Sequence, residues 1–152
     1  MRRWATENPL KVAVLGGATI SLFPAWFVSL AADAFPSLRP EELEVVSEFF
    51  SSGIGPLQLI VMGIVIFVVP PMEELVFRGW AWKLCRWKMS PKWTCITTSV
   101  LFAAVHQEPL HILGLLPLSF FLGWLRLKTG NIEASTIAHM VNNTVGCLVM
   151  VL

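Results

Sequence analysis

The sequence predicts an all-α, polytopic membrane protein with about five transmembrane helices around a central cavity. Two observations carry that expectation. Of 152 residues, 55% are hydrophobic and only 14% are charged, and the mean hydropathy of +0.68 lies above that of an ordinary soluble domain. The apolar residues also gather into five long stretches separated by short turns that hold most of the charge, the pattern of helices whose backbone groups are satisfied internally in lipid. The length suits one integral membrane domain, residues 1–152. Within it, residues 1–53 hold a first span and an acidic segment, and about 54–152 form a core that carries the polar motifs. A net charge of +1 provides no field for nucleic acid.

The first stretch follows the basic start "MRRW" and runs from about Leu10 to Ala32, enough to cross the hydrocarbon core. The alternative for it is a cleaved signal peptide with its small-residue site at Ala32 and Ala34, but the apolar run exceeds the usual core of about 7–15 residues. Next, "PSLRPEELEVVSEFFSSG" interleaves Glu41, Glu42, Glu44 and Glu48 with Val45, Val46, Phe49 and Phe50, an amphipathic surface element. The second stretch starts near Ile54, breaks at Pro70-Pro71 and resumes as a helix from Met72 to about Trp87. Proline suits a first helical turn, where its missing N–H is not needed, so Glu73 and Glu74 are expected in the first turn of the new helix. The third stretch covers about Trp93 to His106, the fourth about Leu110 to Leu125 and the fifth about Ile132 to Leu152.

Charge sorts these spans by side. Lys83, Arg86, Lys88 and Lys92 surround the "MSP" turn, and Arg126 and Lys128 lie at the end of the fourth stretch, where "KTGN" begins. With those turns and the N-terminus cytoplasmic, the acidic 33–48 segment lies outside, as the positive-inside rule expects. Trp4, Trp80, Trp82, Trp87, Trp93 and Trp124 fall near predicted ends and fit an interfacial belt. Cys85, Cys95 and Cys147 are odd in number and lie in or beside apolar runs, as core thiols do, with no disulfide framework or CxxC spacing.

Three ionisable residues, Glu73, Glu74 and Arg78, stand at membrane depth, where each costs roughly 2.5–3.5 kcal/mol on insertion scales. Glu73 and His106 lie similar distances before and after the "MSP" turn, so an antiparallel hairpin can bring them face to face. A rise of about 1.5 Å per residue puts Glu73 roughly 15 Å from Lys83 and His139 roughly 10 Å into the fifth span, with His106 somewhat deeper. His139 and Asn143 share one helix face, as do Phe102 and His106. Glu74 and Arg78, four residues apart, can neutralise each other as a structural ion pair, which leaves Glu73 unpaired. His111, beside "QEP", reads as a hydrogen-bonded residue at the outer edge.

Such a set of Glu73, His106, His139 and Asn143 permits two kinds of hydrolysis. A buried carboxylate can take a proton from water that His106 orients, while His139 and Asn143 stabilise the oxyanion. Alternatively, Glu73, His106 and His139 can hold a divalent metal such as zinc that activates the water, although no HExxH spacing accompanies them. Serine catalysis has no support, because there is no GxSxG elbow. A proton or ion pathway through the same groups is the transport alternative.

Three short motifs, "EELVFR" (Glu73, Glu74, Arg78), "FAAVH" (Phe102, His106) and "HMVNN" (His139, Asn143), resemble in kind and order the EExxxR, FxxxH and HxxxN motifs of the CPBP family, the CAAX prenyl protease type II and bacteriocin-processing (Abi) group. The resemblance covers residues 73–143. It implies an intramembrane endopeptidase with a central catalytic cavity, in which Glu73 activates water with His106 as its partner. It further implies that His139 and Asn143 stabilise the oxyanion while Glu74 and Arg78 support the site. The family has been described both as glutamate-dependent and as metalloproteases. The chain has about five spans where eukaryotic CAAX members have more, and it stops at Leu152. The expectation is therefore a compact prokaryotic member in the cell membrane, acting on bacteriocin-like or other membrane-bound peptides, with a non-catalytic immunity or partner protein of the same fold as the alternative.

Overall fold

The computed structural model of the chain describes residues 8–38, 41–51 and 53–151. The basic "MRRW", with Trp4, and Leu152 lie outside the described residues. Among the described residues the structure is helical throughout, with no strand.

Helix α1 (Pro9–Ala34) starts with proline in its first turn. The acidic segment forms α2 (Glu41–Ser51), and Gly53 at φ 89° turns the chain back in a conformation that favours glycine. Gln58 fixes this corner. Its Oε1 accepts from the Gly55 amide at 3.1 Å and its Nε2 donates to the Phe49 carbonyl at 3.0 Å.

The second stretch is one long, interrupted span: α3 (Pro56–Phe67), α4 (Val69–Glu74), a π-helical turn (Leu75–Ala81) and α5 (Trp82–Arg86). The break falls at Val68, two residues before the proline doublet. Pro70 and Pro71 have no N–H to offer the carbonyls of Ile66 and Phe67, so the i→i−4 ladder lapses there and resumes with Met72 N–H donating to Val68 O. This corrects one expectation: because the new helix starts at Val69, Glu73 and Glu74 stand in its second turn, where it passes into the π-helical turn, and not in its first. The π-helical turn was not expected either. One extra residue per turn carries no hydrophobic signature that a sequence pattern reveals, although such turns recur at functional sites.

Ser90 caps α6 (Pro91–Ala104), α7 covers Pro109–Thr129 and α8 covers Glu133–Val151. Gly130, at φ 78°, closes α7 with its amide on Arg126 O, the left-handed C-terminal cap that glycine allows. Among the described residues, four segments are long and apolar enough to cross a membrane: α1, the interrupted span Pro56–Arg86, α7 and α8. The stretch expected as a fifth crossing is shorter. At 14 residues, α6 extends only about 21 Å. It stops because the chain turns at Val105 and His106, Gln107 takes a left-handed φ of 62° and Pro109 begins the next helix.

Apolar packing sits where α1, α7 and α8 meet, around Val12, Ala13, Leu118, Leu122, Leu125 and Ala138. A Cβ on Gly17 would come within 2.6 Å of the Ala138 carbonyl oxygen, so a glycine there lets α1 lie against α8, as small residues do between membrane helices. Outward positions such as Leu57, Ile60, Ile64, Phe67 and Trp80 are exposed and suit lipid contact. Trp87 and Trp93 are exposed near helix ends, but Trp82 is buried beneath Arg126, whose guanidinium lies 5.4 Å from its ring. For Trp82 the interfacial-belt expectation is replaced by a packing role.

Candidate active site

The Glu pair separates into two unlike carboxylates. Successive residues of a helix point about 100° apart, and here Glu74 turns into the bundle while Glu73 stays at its edge. Glu74 is fully buried and its Oε1 accepts from Arg78 Nη1 at 3.1 Å, an i, i+4 ion pair with no exposed side-chain surface on either partner. Glu73 keeps 30% of its side-chain surface exposed and has no cation of its own.

His139 joins them. From the buried face of α8 its Nε2 stands 3.5 Å from Glu73 Oε2 and its Nδ1 3.4 Å from Glu74 Oε1. One imidazole therefore lies between both carboxylates, and Glu74 Oε1 is shared by Arg78 and His139. These approaches are slightly longer than a hydrogen bond, and Glu74 Oε2, Arg78 Nε and His139 Nδ1 are buried without a hydrogen-bond partner.

Phe102 is the aromatic centre of the site. Its buried ring packs edge-on against His139 (5.5 Å between centroids) and Phe77 (5.2 Å), and Arg78 places its guanidinium 4.5 Å from the same ring. The face of an aromatic ring is a favourable neighbour for a cation that has left water. His106, one turn further along, lies 5.4 Å from Phe102 on centroids. It is in the turn after α6 and not in the helix. Its Nδ1 donates to the Phe102 carbonyl at 3.1 Å, which leaves Nε2 as the ring's free acceptor.

His106 faces a cavity of about 500 Å³ between α1, α7 and α8, lined also by Val28, His111, Leu115, Asn142 and Met150. The cavity is half open and mostly apolar with a few polar groups, the usual character of a ligand site, and of the motif side chains His106 alone lines it. His111, expected at the outer edge, belongs to its wall. Asn143 points elsewhere: one N–H of its amide donates to Val65 O at 2.9 Å, tying α8 to α3 beside the proline break, and its Oδ1 accepts from Asn142. An amide nitrogen carries two hydrogens, so one donor of Asn143 remains available.

Glu73, Glu74, Arg78, Phe102 and His139 thus form one cluster, with His106 joined to it through Phe102. Glu73, His106 and His139 are the right kinds of atoms for a zinc site, yet among the described residues no three His, Cys, Asp or Glu side chains stand close enough together to hold one ion. Glu73 and His139 are adjacent and the His106 ring lies across Phe102.

Three contributors carry no motif. Arg78 Nη2 donates to Ser119 O at 2.9 Å and to Ser119 Oγ at 3.0 Å. Ser119 and Ser99 exchange hydroxyl-to-carbonyl bonds at 2.7 and 2.9 Å. Arg126 Nε donates to the carbonyl of Arg78 at 3.0 Å. A serine inside an apolar helix raises no signal of its own, and only the unpaired donors of a buried arginine would have prompted a search for it. The three thiols are free, with Cys95 buried against this same α6–α7 contact.

A family model described as type II CAAX prenyl endopeptidase Rce1-like matches residues 55–145, a segment that holds every motif side chain described above. No curated protein and no solved structure matches the chain.

Proposed function

The chain belongs to the type II CAAX prenyl endopeptidase Rce1-like family, a group of CAAX-type membrane proteases, and from that premise we propose that it hydrolyses peptide bonds of membrane-bound peptides with Glu73 as the base. The observation that carries the reading is the division of labour between neighbouring carboxylates: Glu74 is committed to Arg78, whereas Glu73 is part-exposed and stands beside His139.

The steps follow from what each group has left to offer. Water, held by the free Nε2 of His106, loses a proton to Glu73 as its oxygen bonds to the substrate carbonyl carbon. The resulting oxyanion is met by the Nε2–H of His139, which stands 3.5 Å from Glu73 without a hydrogen bond, and by the remaining N–H of Asn143, as oxyanion holes generally act. Glu73 then returns the proton to the amide nitrogen as the C–N bond breaks and the carbonyl re-forms, giving a carboxylic acid, which keeps the other water proton until it ionises, and a free amine. The largely apolar, half-open cavity beside His106 receives the substrate segment.

The reading is tested by incubating the purified protein in lipid with a library of membrane-anchored peptides, with and without a chelator. Cleavage that survives chelation is expected, because the donor set does not close around an ion. Cleavage abolished by the chelator and restored by zinc would overturn the metal-independent route. No cleavage of any peptide would favour a non-catalytic partner protein.

A further inference from the structure

Arg78 is buried with two carboxylates nearby and is held at both ends by α7. Ser119 takes its guanidinium through a carbonyl and a hydroxyl, and Arg126, seven residues on, takes its main-chain carbonyl. Seven residues are about two helical turns, so both handles lie on one face of α7 about 10 Å apart. The Ser119 carbonyl and hydroxyl are themselves fixed by Ser99 of α6. A Cβ on Gly123 would lie 2.6 Å from Ser99 Oγ, so a glycine there lets α6 and α7 come close enough for these bonds.

We propose that Ser119 is a positioning residue for the proposed hydrolysis, aligning His139 through Arg78 and Glu74. The relay runs through hydrogen bonds as far as Glu74 and through a 3.4 Å contact from there to His139. Ser119 sets the plane of the guanidinium, the guanidinium sets Glu74 Oε1, and that same oxygen stands 3.4 Å from His139 Nδ1 while the other ring nitrogen faces Glu73. Ion pairing alone fixes the Arg78–Glu74 distance, not the orientation. Ser119 supplies the second point of attachment that an Arg fork uses. Misplacing a reacting group by about 1 Å costs on the order of a hundredfold in rate, so a loosened fork acts on turnover more than on substrate binding.

The inference rests on the protease reading, and kinetics separate the two. For a peptide the wild type cleaves, Ser119→Ala is expected to lower kcat about tenfold with KM unchanged, and Ser119→Thr, which keeps the hydroxyl, to restore most of it. Ser99→Ala, which leaves Ser119 in place but frees its carbonyl, is expected to lower kcat by a smaller factor and decides the matter if Ser119→Ala does not fold. Wild-type kcat in either alanine variant, or a rise in KM at constant kcat, overturns the inference alone. A wild type that cleaves nothing overturns the protease reading and the inference with it.

Discussion

Glu73 and Glu74 are adjacent in sequence and alike in chemistry, yet the fold gives them opposite tasks by burying one and leaving the other at an edge. The buried pair is sensitive to the loss of one member. Arg78→Met strands the Glu74 charge, and removing one partner of a buried ion pair typically costs about 3–5 kcal/mol. Denaturant unfolding in detergent is expected to show that loss, and adding Glu74→Gln is expected to recover part of it by removing the stranded charge. A single variant as stable as the wild type would contradict the account of the pair. The i, i+4 spacing of Glu74 and Arg78 was legible because four residues along one helix fix a neighbour. The bond from Arg78 to Ser119 was not, because it joins residues 41 apart and depends on how two helices dock.

At the scale of elements, local chemistry forecast the break near Pro70-Pro71, since a missing N–H is a property of the residue itself. It did not place the break at Val68, foresee the π-helical turn or end α6 at Ala104. Those depend on what the helices pack against. His106 illustrates this: the hairpin argument put it in a helix opposite Glu73, whereas the left-handed Gln107 ends α6 early and leaves His106 in a turn at the cavity. The α6–α7 contact offers a test. Gly123→Ala forces a Cβ to within 2.6 Å of Ser99 Oγ and 3.0 Å of Cys95 Sγ, and overpacking of this kind costs about 1–3 kcal/mol. Gly146→Ala, whose Cβ would meet nothing within 4 Å, is the control. A lowered unfolding midpoint for Gly123→Ala beside an unchanged or raised one for Gly146→Ala is expected, and equal midpoints would contradict the close packing.

For the whole molecule, apolar composition alone forecast an all-helical integral membrane protein, and the helices bear that out. Sidedness rests on the basic turns around Lys88 and Lys128 lying opposite the turn that holds Gln107. In a variant lacking the native cysteines, Lys88→Cys is expected to react with an impermeant thiol reagent only after cells are permeabilised, and Gln107→Cys to react in intact cells. The reverse pattern would invert the orientation. The central claim, that Glu73 abstracts the proton, is tested most directly by comparing wild type and Glu73→Gln on the same membrane-anchored peptide. Gln keeps the shape and removes the base. The account predicts a folded variant whose kcat falls by at least about a hundredfold, and cleavage by Glu73→Gln at the wild-type rate would contradict it.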